Sequence, residues 1–466
     1  MDKVFGSPEE AIADLPDGAT VTVAGFGLGH RFPTSLLEAL RDTGVKDLCL
    51  VCNSLGGSND VRQQLVERRQ VRKLMVAFSA RPGLRSAAEE QIASGDIELE
   101  MVPQGMLVER CRAGGAGIPA FYSPVGVGTD VAADKEVREF NGRQYTLEHA
   151  ITVDFALLRA WRGDRLGNLQ FRGGSQNFNP AFAKAARVAI AEVDELVDVG
   201  EIPPEAIDLP GVFVARVVKA TRTVDIAELF AGRPARRTQE SARHYLGKPG
   251  LTRSEMARCV AGLFADGSVV NLGMGLPTLV SNHLAGRDVT LHAENGILGY
   301  GGIVQGEAID PDIYNAGGEF VSLEPGAAFF DSVTSFEIAR GGLLDAVVLG
   351  AYQVDQEGNL ANWSTPEMVG GGIGGAMDLV AGAKSLVILM EHRDSKDRAK
   401  LVSRCEYPLT GPRCVDVVVT DLALLRRSDG LFTLEAIAPG FTVDEVLGLT
   451  DMEVRVSEPI GAMNNG

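Results

Sequence analysis

One glutamate is singled out when two similar stretches of the chain are compared. The stretch from Lys46 to Asn53 resembles the stretch from Arg287 to Glu294, and both have the pattern of a strand followed by a turn. The first stretch ends in asparagine, whereas the second ends in a carboxylic acid. Ligands of open α/β sheets gather at the carboxyl ends of the strands. Glu294 is therefore the first candidate for chemistry, and that chemistry would use a carboxylate.

Two glycine-rich loops could bring backbone close to a substrate. One follows the glutamate directly, as Asn295-Gly296-Ile297-Leu298-Gly299, and glycine lets backbone approach a ligand closely. The other, Gly370 to Gly375, leads into a helix-like stretch, and the N–H groups at a helix start favour negative charge. This second loop predicts an oxyanion site. It also fits the pattern GxGxxG, but no clear strand precedes it and no ribose-binding acid follows, which disfavours a dinucleotide site.

Other short patterns do not support further sites. His292-Ala293-Glu294 matches half of a zinc deaminase signature, but no Pro-Cys-x-x-Cys follows, so we predict no metal site there. Cys49 and Cys52 form a CxxC within an apolar run of strand length. Residues three apart on a strand face opposite ways, and we interpret both as buried strand cysteines. The Gly-x-Ser-x-Gly elbow of serine hydrolases is not found in the sequence.

An internal repeat indicates which elements position these residues. The segment from Asp17 to Gly27 resembles the segment from Asp266 to Gly275, and a chain of 466 residues has room for two copies of one fold. Short β-branched runs alternate with helix-like segments, which is typical of α/β domains. We predict two related open α/β domains in tandem, each with a largely parallel sheet flanked by helices. The predicted bounds are residues 1–220 for the first domain, 221–250 for a solvated linker and 251–466 for the second domain.

Composition excludes several classes of protein. The chain carries 62 acidic and 44 basic side chains, a formal net charge of −18, which argues against a nucleic-acid partner because phosphate contacts need clustered cations. No stretch approaches 18 uncharged apolar residues, so we predict no membrane span. The first residues are acidic and show no targeting pattern. We therefore predict a cytoplasmic protein.

Several motifs along the chain carry a resemblance to a known family. They are Glu294-Asn-Gly-Ile-Leu-Gly, Gly374-Gly-Ala-Met-Asp, Gly358-Asn-Leu-Ala-Asn-Trp363, Pro103-Gln104-Gly-Met-Leu with Arg112 to Phe121, and Arg138-Glu-Phe-Asn-Gly142. Together they resemble the 3-oxoacid CoA-transferases of the class I CoA-transferase family. The similarity runs in the same order from about Ser7 to Val456, so it covers nearly the whole chain in the fused two-half form.

The resemblance implies a role for each motif residue. Glu294 would attack the acyl-CoA thioester as a covalent nucleophile, and the Gly375 amide would stabilise the oxyanion. Asn53 and Gln104 would orient the glutamate and the acyl group through neutral amides. The substrate- and CoA-binding residues implied are Gly25, Gly27, Gly273, Asn295, Gly296 and Gly374.

The resemblance also implies the substrates and the partners. Succinyl-CoA would be the donor and a 3-oxo acid such as acetoacetate the acceptor, with coenzyme A as substrate and covalent intermediate and no tightly bound cofactor. Relatives suggest a homodimer. Three alternatives stay open: transfer to another acid such as 3-oxoadipate, hydrolysis of acyl-CoA on the same fold, and an acyl-CoA sensor without activity.

The chain departs from the family pattern in four loops, at residues 29–32, 78–83, 173–175 and 318. Two of these loops contain an arginine, Arg31 and Arg81. Arginine makes bidentate contacts with carboxylates. We therefore predict that Arg31 or Arg81 pairs with a second acidic group on the acceptor, the alternative being a solvated loop arginine.

Overall fold

The structure is a computed structural model, and it describes residues 2–27, 31–57, 60–80, 86–223, 241–306 and 309–463. Two large sheets are built from these residues, one from residues 4–219 and one from residues 268–462. The prediction of two related α/β domains in tandem is confirmed. No helix in the described ranges is both long and apolar enough to cross a membrane.

The first sheet is parallel along its main path. Its strands lie in the order Val4–Phe5, Arg216–Lys219, Ala186–Val197, Val153–Asp164, Thr20–Val23, Leu48–Ser54, Val71–Phe78 and Glu98–Met101, and all these neighbours pair in parallel. The short strand Leu169–Gln170 pairs antiparallel with Val153–Asp164. Parallel neighbours need crossover connections, which helices commonly supply. The α-helices described in this half are Pro8–Ala11, Thr34–Thr43, Val61–Glu67, Ala87–Ala93, Gln104–Gly115 and Asn179–Ala185.

The second sheet is parallel at its centre, with antiparallel pairs on both sides of that centre and one more parallel pair, Leu431–Ile437 with Arg455–Ala462, at one edge. Its order is Val321–Phe329, Ile297–Ile303, Val289–Ala293, Ser268–Leu272, Ala346–Leu349, Leu386–Leu389, Val417–Val419, Ala423–Ser428, Leu431–Ile437 and Arg455–Ala462. The strands Val289–Ala293 and Ile297–Ile303 pair antiparallel, because a turn this short cannot return the chain in parallel. Glu294 stands in that turn. The α-helices of this half are Arg253–Ala261, Ser332–Arg340, Ala376–Gly382 and Val443–Leu447.

The repeat predicted from the sequence has the same strand pairing in both halves. Strand Thr20–Val23 pairs in parallel with Leu48–Ser54, and strand Ser268–Leu272 pairs in parallel with Val289–Ala293. In both halves the second of these strands leads to the position that differs, asparagine in one copy and glutamate in the other. The two positions are therefore equivalent in the fold as well as in the sequence.

Smaller elements complete the chain, and one of them lies in the predicted linker. They are the strands Ala120–Ser123, Val137–Phe140 and Arg143–His149, the strands Gln353–Asp355, Leu360–Ala361 and Leu401–Val402, and the hairpin Ala242–Tyr245 with Lys248–Thr252. The Tyr245 side chain is buried, and its hydroxyl donates to Asp421 Oδ2 at 2.9 Å. The end of the predicted linker is thus packed on the second half rather than solvated, while residues 224–240 lie outside the described ranges.

The hydrophobic core is shared between the halves. One cluster of buried side chains runs through both, from Ala24 to Met463, and a second cluster belongs to the first half alone. Cys49 lies in the shared cluster and Cys52 in the other, so the two thiols occupy opposite faces of one strand. Burial raises the pKa of Cys52 to about 11. Both are buried strand cysteines, as predicted.

Candidate active site

Glu294 carries a buried carboxyl group with little to neutralise it. The residue follows strand Val289–Ala293 and is 6% exposed. Its Oε2 atom has no hydrogen-bond partner among the described residues. Burial raises the pKa of this carboxyl to about 7, and the negative charge of Asp378 acts in the same direction. A carboxylate in this setting is poorly solvated, and its basicity is high for a glutamate.

The Gly374–Gly375 backbone lies directly beside this carboxyl. Gly374 has φ +55°, and a Cβ atom there would lie 2.8 Å from the Phe78 ring, so glycine is required. Gly375 precedes helix Ala376–Gly382 as its N-terminal cap. A Cβ atom on Gly375 would lie 3.2 Å from Glu294 Oε1. In the described part of the chain the Gly375 N–H has no hydrogen-bond partner, and it can donate to a charge that develops beside the glutamate.

Two neutral amides reach the same place from the first half of the chain. Asn53 is the second-last residue of strand Leu48–Ser54, Gln104 begins helix Gln104–Gly115, and both are buried. Gln104 Nε2 donates to Asn53 Oδ1 at 2.8 Å. Gln104 Oε1 would lie 3.1 Å from a Cβ atom on Gly375. The structure therefore brings Asn53, Gln104, Gly375 and Glu294 together, across the boundary between the halves.

The turn after the glutamate is held on both sides. Asn295 is fully buried, and its Nδ2 donates to the Tyr314 carbonyl at 2.6 Å. Gly296 has φ +99°, and a Cβ atom there would lie 1.9 Å from the Phe330 carbonyl oxygen. No side chain fits at that position. These contacts fix the backbone from which the Glu294 side chain projects.

The three remaining predicted glycines have packing reasons of their own. A Cβ atom on Gly25 would lie 2.4 Å from the Phe32 ring, and one on Gly273 would lie 2.8 Å from Leu349. Gly27 has φ +65° and lies against Tyr314, the residue whose carbonyl holds the turn after Glu294. Contact of these glycines with coenzyme A stays a prediction.

Arg31 faces protein carboxylates rather than open space. Its Nε and Nη2 donate to Asp312 at 2.7 and 2.8 Å, and its Nη1 pairs with Asp194. Arg172 also reaches Asp312, at 2.5 Å, and Asp310 at 2.7 Å. All three guanidinium nitrogens of Arg31 are thus engaged, and a substrate carboxylate would have to displace one of these partners. The structure argues against the predicted substrate contact of Arg31, and Arg81 lies outside the described residues.

Some residues beside the glutamate were not predicted from the sequence. Asn271, inside strand Ser268–Leu272, donates to His292 Nδ1 at 3.0 Å, and its Oδ1 has no partner among the described residues. Burial lowers the pKa of His292 to about 4, so the ring is neutral at pH 7. The buried Tyr300 hydroxyl is also without a partner in the described ranges. A polar residue within an apolar strand was the available signal for Asn271.

The arrangement fits covalent acyl chemistry on a carboxylate. A desolvated glutamate with a raised pKa is a competent nucleophile at neutral pH. The Gly375 N–H, which has no partner among the described residues, can donate a hydrogen bond to an oxyanion. The two nearby amides are neutral and place no counter-ion beside the glutamate. Within the described residues, no group of three His, Cys, Asp or Glu side chains is placed to hold a metal ion.

Named relatives match this chain, one over almost its whole length and another over about half of it. It is 40% identical over 98% of its length to the mitochondrial succinyl-CoA:3-ketoacid coenzyme A transferase 2A of Mus musculus, of which it covers 91%. It is 42% identical over 52% of its length to one of the separate subunits of the succinyl-CoA:3-ketoacid coenzyme A transferase of Helicobacter pylori strain J99, of which it covers 100%. The mammalian relatives are mitochondrial enzymes, so our prediction of a cytoplasmic protein is wrong. It rested only on a missing targeting pattern, and such an absence does not determine the compartment.

A solved structure shares the fold of this chain, and a family model matches most of its length. The acyl-CoA transferase of Escherichia coli O157:H7 superposes with a TM-score of 0.81 at 22% identity, over 100% of this chain and 96% of that one. This similarity concerns the fold. The family model for coenzyme A transferases matches residues 5–220 and 253–448. The chain therefore belongs to the coenzyme A transferase family, and it is a CoA-transferase.

Proposed function

We propose that this enzyme transfers coenzyme A from succinyl-CoA to a 3-oxo acid such as acetoacetate, through a glutamyl-CoA thioester on Glu294. The choice of substrates is supported by the names of the relatives, which are succinyl-CoA:3-ketoacid transferases. The covalent route is supported above all by one observation. Glu294 is a buried carboxyl group whose Oε2 atom has no partner among the described residues, next to a free backbone N–H.

The first half-reaction moves the acyl group and then the CoA group. A Glu294 carboxylate oxygen attacks the thioester carbonyl carbon, a C–O bond forms, and the C–S bond breaks to release CoA thiolate. The thiolate attacks the glutamyl carbonyl of the resulting anhydride and expels succinate. Glutamyl-CoA thioester remains on the enzyme. The acceptor carboxylate reverses these steps, so that the products are succinate and the acyl-CoA of the acceptor, with Glu294 regenerated.

The energetics of these steps suit the site. A carboxyl with a pKa near 7 is closer in basicity to a thiol, whose ordinary pKa is about 8.5, than is an exposed glutamate. The two leaving groups therefore differ less, which favours reversible exchange. Each attack places negative charge on a former carbonyl oxygen, and we assign its stabilisation to the Gly375 N–H. The cycle uses coenzyme A itself and requires no further cofactor.

Water must be kept from both intermediates, since an anhydride and a thioester hydrolyse. Glu294, Asn53 and Gln104 are each no more than 6% exposed, which supports transfer over hydrolysis. The homodimer suggested by the resemblance stays a prediction.

Trapping the intermediate tests the proposal. Incubation with succinyl-CoA alone should add the mass of CoA to the peptide that contains Glu294, and acetoacetate should then remove it. Glu294→Asp, which shortens the side chain by one methylene and keeps the charge, serves as the control and should form little adduct. Steady release of CoA without an acceptor would favour hydrolysis, and binding without adduct or turnover would favour a sensor.

A further inference from the structure

A second buried carboxylate connects the two halves next to the active site. Asp378 lies in the first turn of helix Ala376–Gly382 and is completely buried. Its Oδ2 atom accepts a hydrogen bond of 3.0 Å from the backbone N–H of Gly105, in the other half of the chain. A Cβ atom on Gly105 would lie 2.2 Å from Asp378 Oδ1. The carboxylate thus requires glycine at that position.

An arginine closes the contact into a ring. Arg340, the last residue of helix Ser332–Arg340, donates through Nη1 to Asp378 Oδ1 at 3.3 Å and through Nη2 to Glu109 Oε2 at 2.9 Å. Glu109 and Gly105 both belong to helix Gln104–Gly115. We call Asp378, Arg340 and Glu109 the interdomain bracket. It joins two helices of the second half to one helix of the first.

The interdomain bracket acts next to two residues of the site: Asp378 lies three residues after Gly375, and Gly105, whose N–H it accepts, directly follows Gln104. Gln104 precedes Gly105, and its own N–H donates to the Gly374 carbonyl at 2.9 Å. Two hydrogen bonds between the halves, one to Gly374 and one to Asp378, therefore hold the start of helix Gln104–Gly115 against the start of helix Ala376–Gly382. These two starts carry the amide and the backbone N–H that flank Glu294.

We propose that Asp378 is a positioning residue for the transfer reaction. Its carboxylate fixes the two helix starts against each other and so keeps Gln104 and Gly375 beside Glu294. This inference rests on the proposed function, because the reaction to be positioned is glutamyl-CoA formation. Small displacements of oriented groups cost large factors in rate, about 100-fold for 1 Å.

Two substitutions measure the effect on chemistry. Asp378→Ala removes the acceptor for the Gly105 N–H and should slow adduct formation on Glu294 at least tenfold at saturating succinyl-CoA. The concentration giving half the maximal rate should change less than twofold, because Asp378 lies behind the site. Asp378→Asn keeps one oxygen for Gly105 and should fall between wild type and Asp378→Ala.

A matched control separates positioning from general stability. Asp421 is also fully buried and accepts a backbone N–H, from His392 at 2.7 Å, together with the Tyr245 hydroxyl. These two partners lie within residues 242–421, away from the boundary between the halves. Asp421→Ala should lower the thermal midpoint and leave the rate of adduct formation per folded molecule within twofold of wild type.

Hydrogen exchange tests the contact without any chemistry. Peptides covering residues 103–110 and 374–382 should exchange faster in Asp378→Ala and not in Asp421→Ala. A folded Asp378→Ala with unchanged rate and exchange would overturn the inference. If that variant does not fold, Arg340→Met, which keeps Asp378, replaces it. Arg340→Met should slow adduct formation at least threefold and speed hydrogen exchange in the same two peptides. If neither changes, the inference is overturned. A wild-type enzyme without any adduct would instead reject the proposed function, while the exchange comparison still decides the contact.

Discussion

Replacing Glu294 with glutamine should stabilise the fold at alkaline pH while it abolishes the adduct. Glutamine has nearly the shape of glutamate but cannot ionise, and the site holds the carboxyl out of water. In the native state the pKa of Glu294 is raised from 4.5 to about 7, chiefly by burial. In the unfolded chain the carboxyl returns to its ordinary value.

The sign and size follow from proton linkage. Below pH 4.5 the carboxyl is protonated in both states, and it adds no pH-dependent energy. Between pH 4.5 and 7 the Glu294 carboxyl is ionised in the unfolded chain but still protonated in the native state, so the free energy of unfolding of wild type falls progressively. Above pH 7 the loss levels off at about 3 kcal/mol, since each tenfold change in proton affinity is worth about 1.4 kcal/mol. The Glu294→Gln variant does not lose this stability, because glutamine does not ionise.

Urea denaturation at pH 4 and at pH 8 measures the effect. The variant should exceed wild type by about 3 kcal/mol in free energy of unfolding at pH 8 and match it closely at pH 4. Glu205→Gln, at an exposed position, is the control and should show no such gap. This prediction is refuted if the Glu294→Gln variant is no more stable than wild type at pH 8. It is also refuted if the variant is stabilised equally at both pH values, because burial would then not have raised the pKa of Glu294.

Three further predictions concern the site and its surroundings. The rate of adduct formation should fall about tenfold per pH unit below about pH 7, because only ionised Glu294 attacks; a flat profile between pH 5 and 8 would contradict it. Gly375→Ala would place Cβ 3.0 Å from the Phe336 ring, 3.1 Å from Gln104 Oε1 and 3.2 Å from Glu294 Oε1, so stopped-flow assays should show that the rate of adduct formation per folded molecule falls tenfold or more. Arg31→Ala breaks a buried pair with Asp312 and should cost roughly 3 kcal/mol in urea denaturation. Its preference among mono- and dicarboxylic acceptors should stay that of wild type, and an altered preference would restore the predicted substrate contact.

The sequence was sufficient for the features that depend on local pattern. The strand period, the repeat and the glycine turns predicted two α/β domains, and comparison of the copies isolated Glu294. The antiparallel pairs of the second sheet were not predicted. One of them arises because the turn 294–296 is too short for a crossover, and a strand pattern alone does not record the direction of its neighbour.

Arg31 shows what a sequence pattern leaves open. An arginine in a loop near an acyl site can bind a substrate carboxylate or a protein carboxylate equally well, and the sequence does not show which is near. Asp312 and Asp194 are far from Arg31 along the chain, yet the fold places both against its guanidinium.

The sequence by itself singled out the carboxylate, because a glutamate between a strand end and a glycine turn is a local arrangement, and its motifs carried the resemblance that implied the chemistry. Only the tertiary structure decided the state of that carboxylate. Its pKa of about 7 comes from burial, and burial comes from side chains of both halves packed into one core. Likewise, the amide of Gln104 meets Gly375 only because two distant helix starts are hydrogen-bonded across the boundary between the halves. Contacts between residues so far apart in the chain leave no periodic trace in a single sequence.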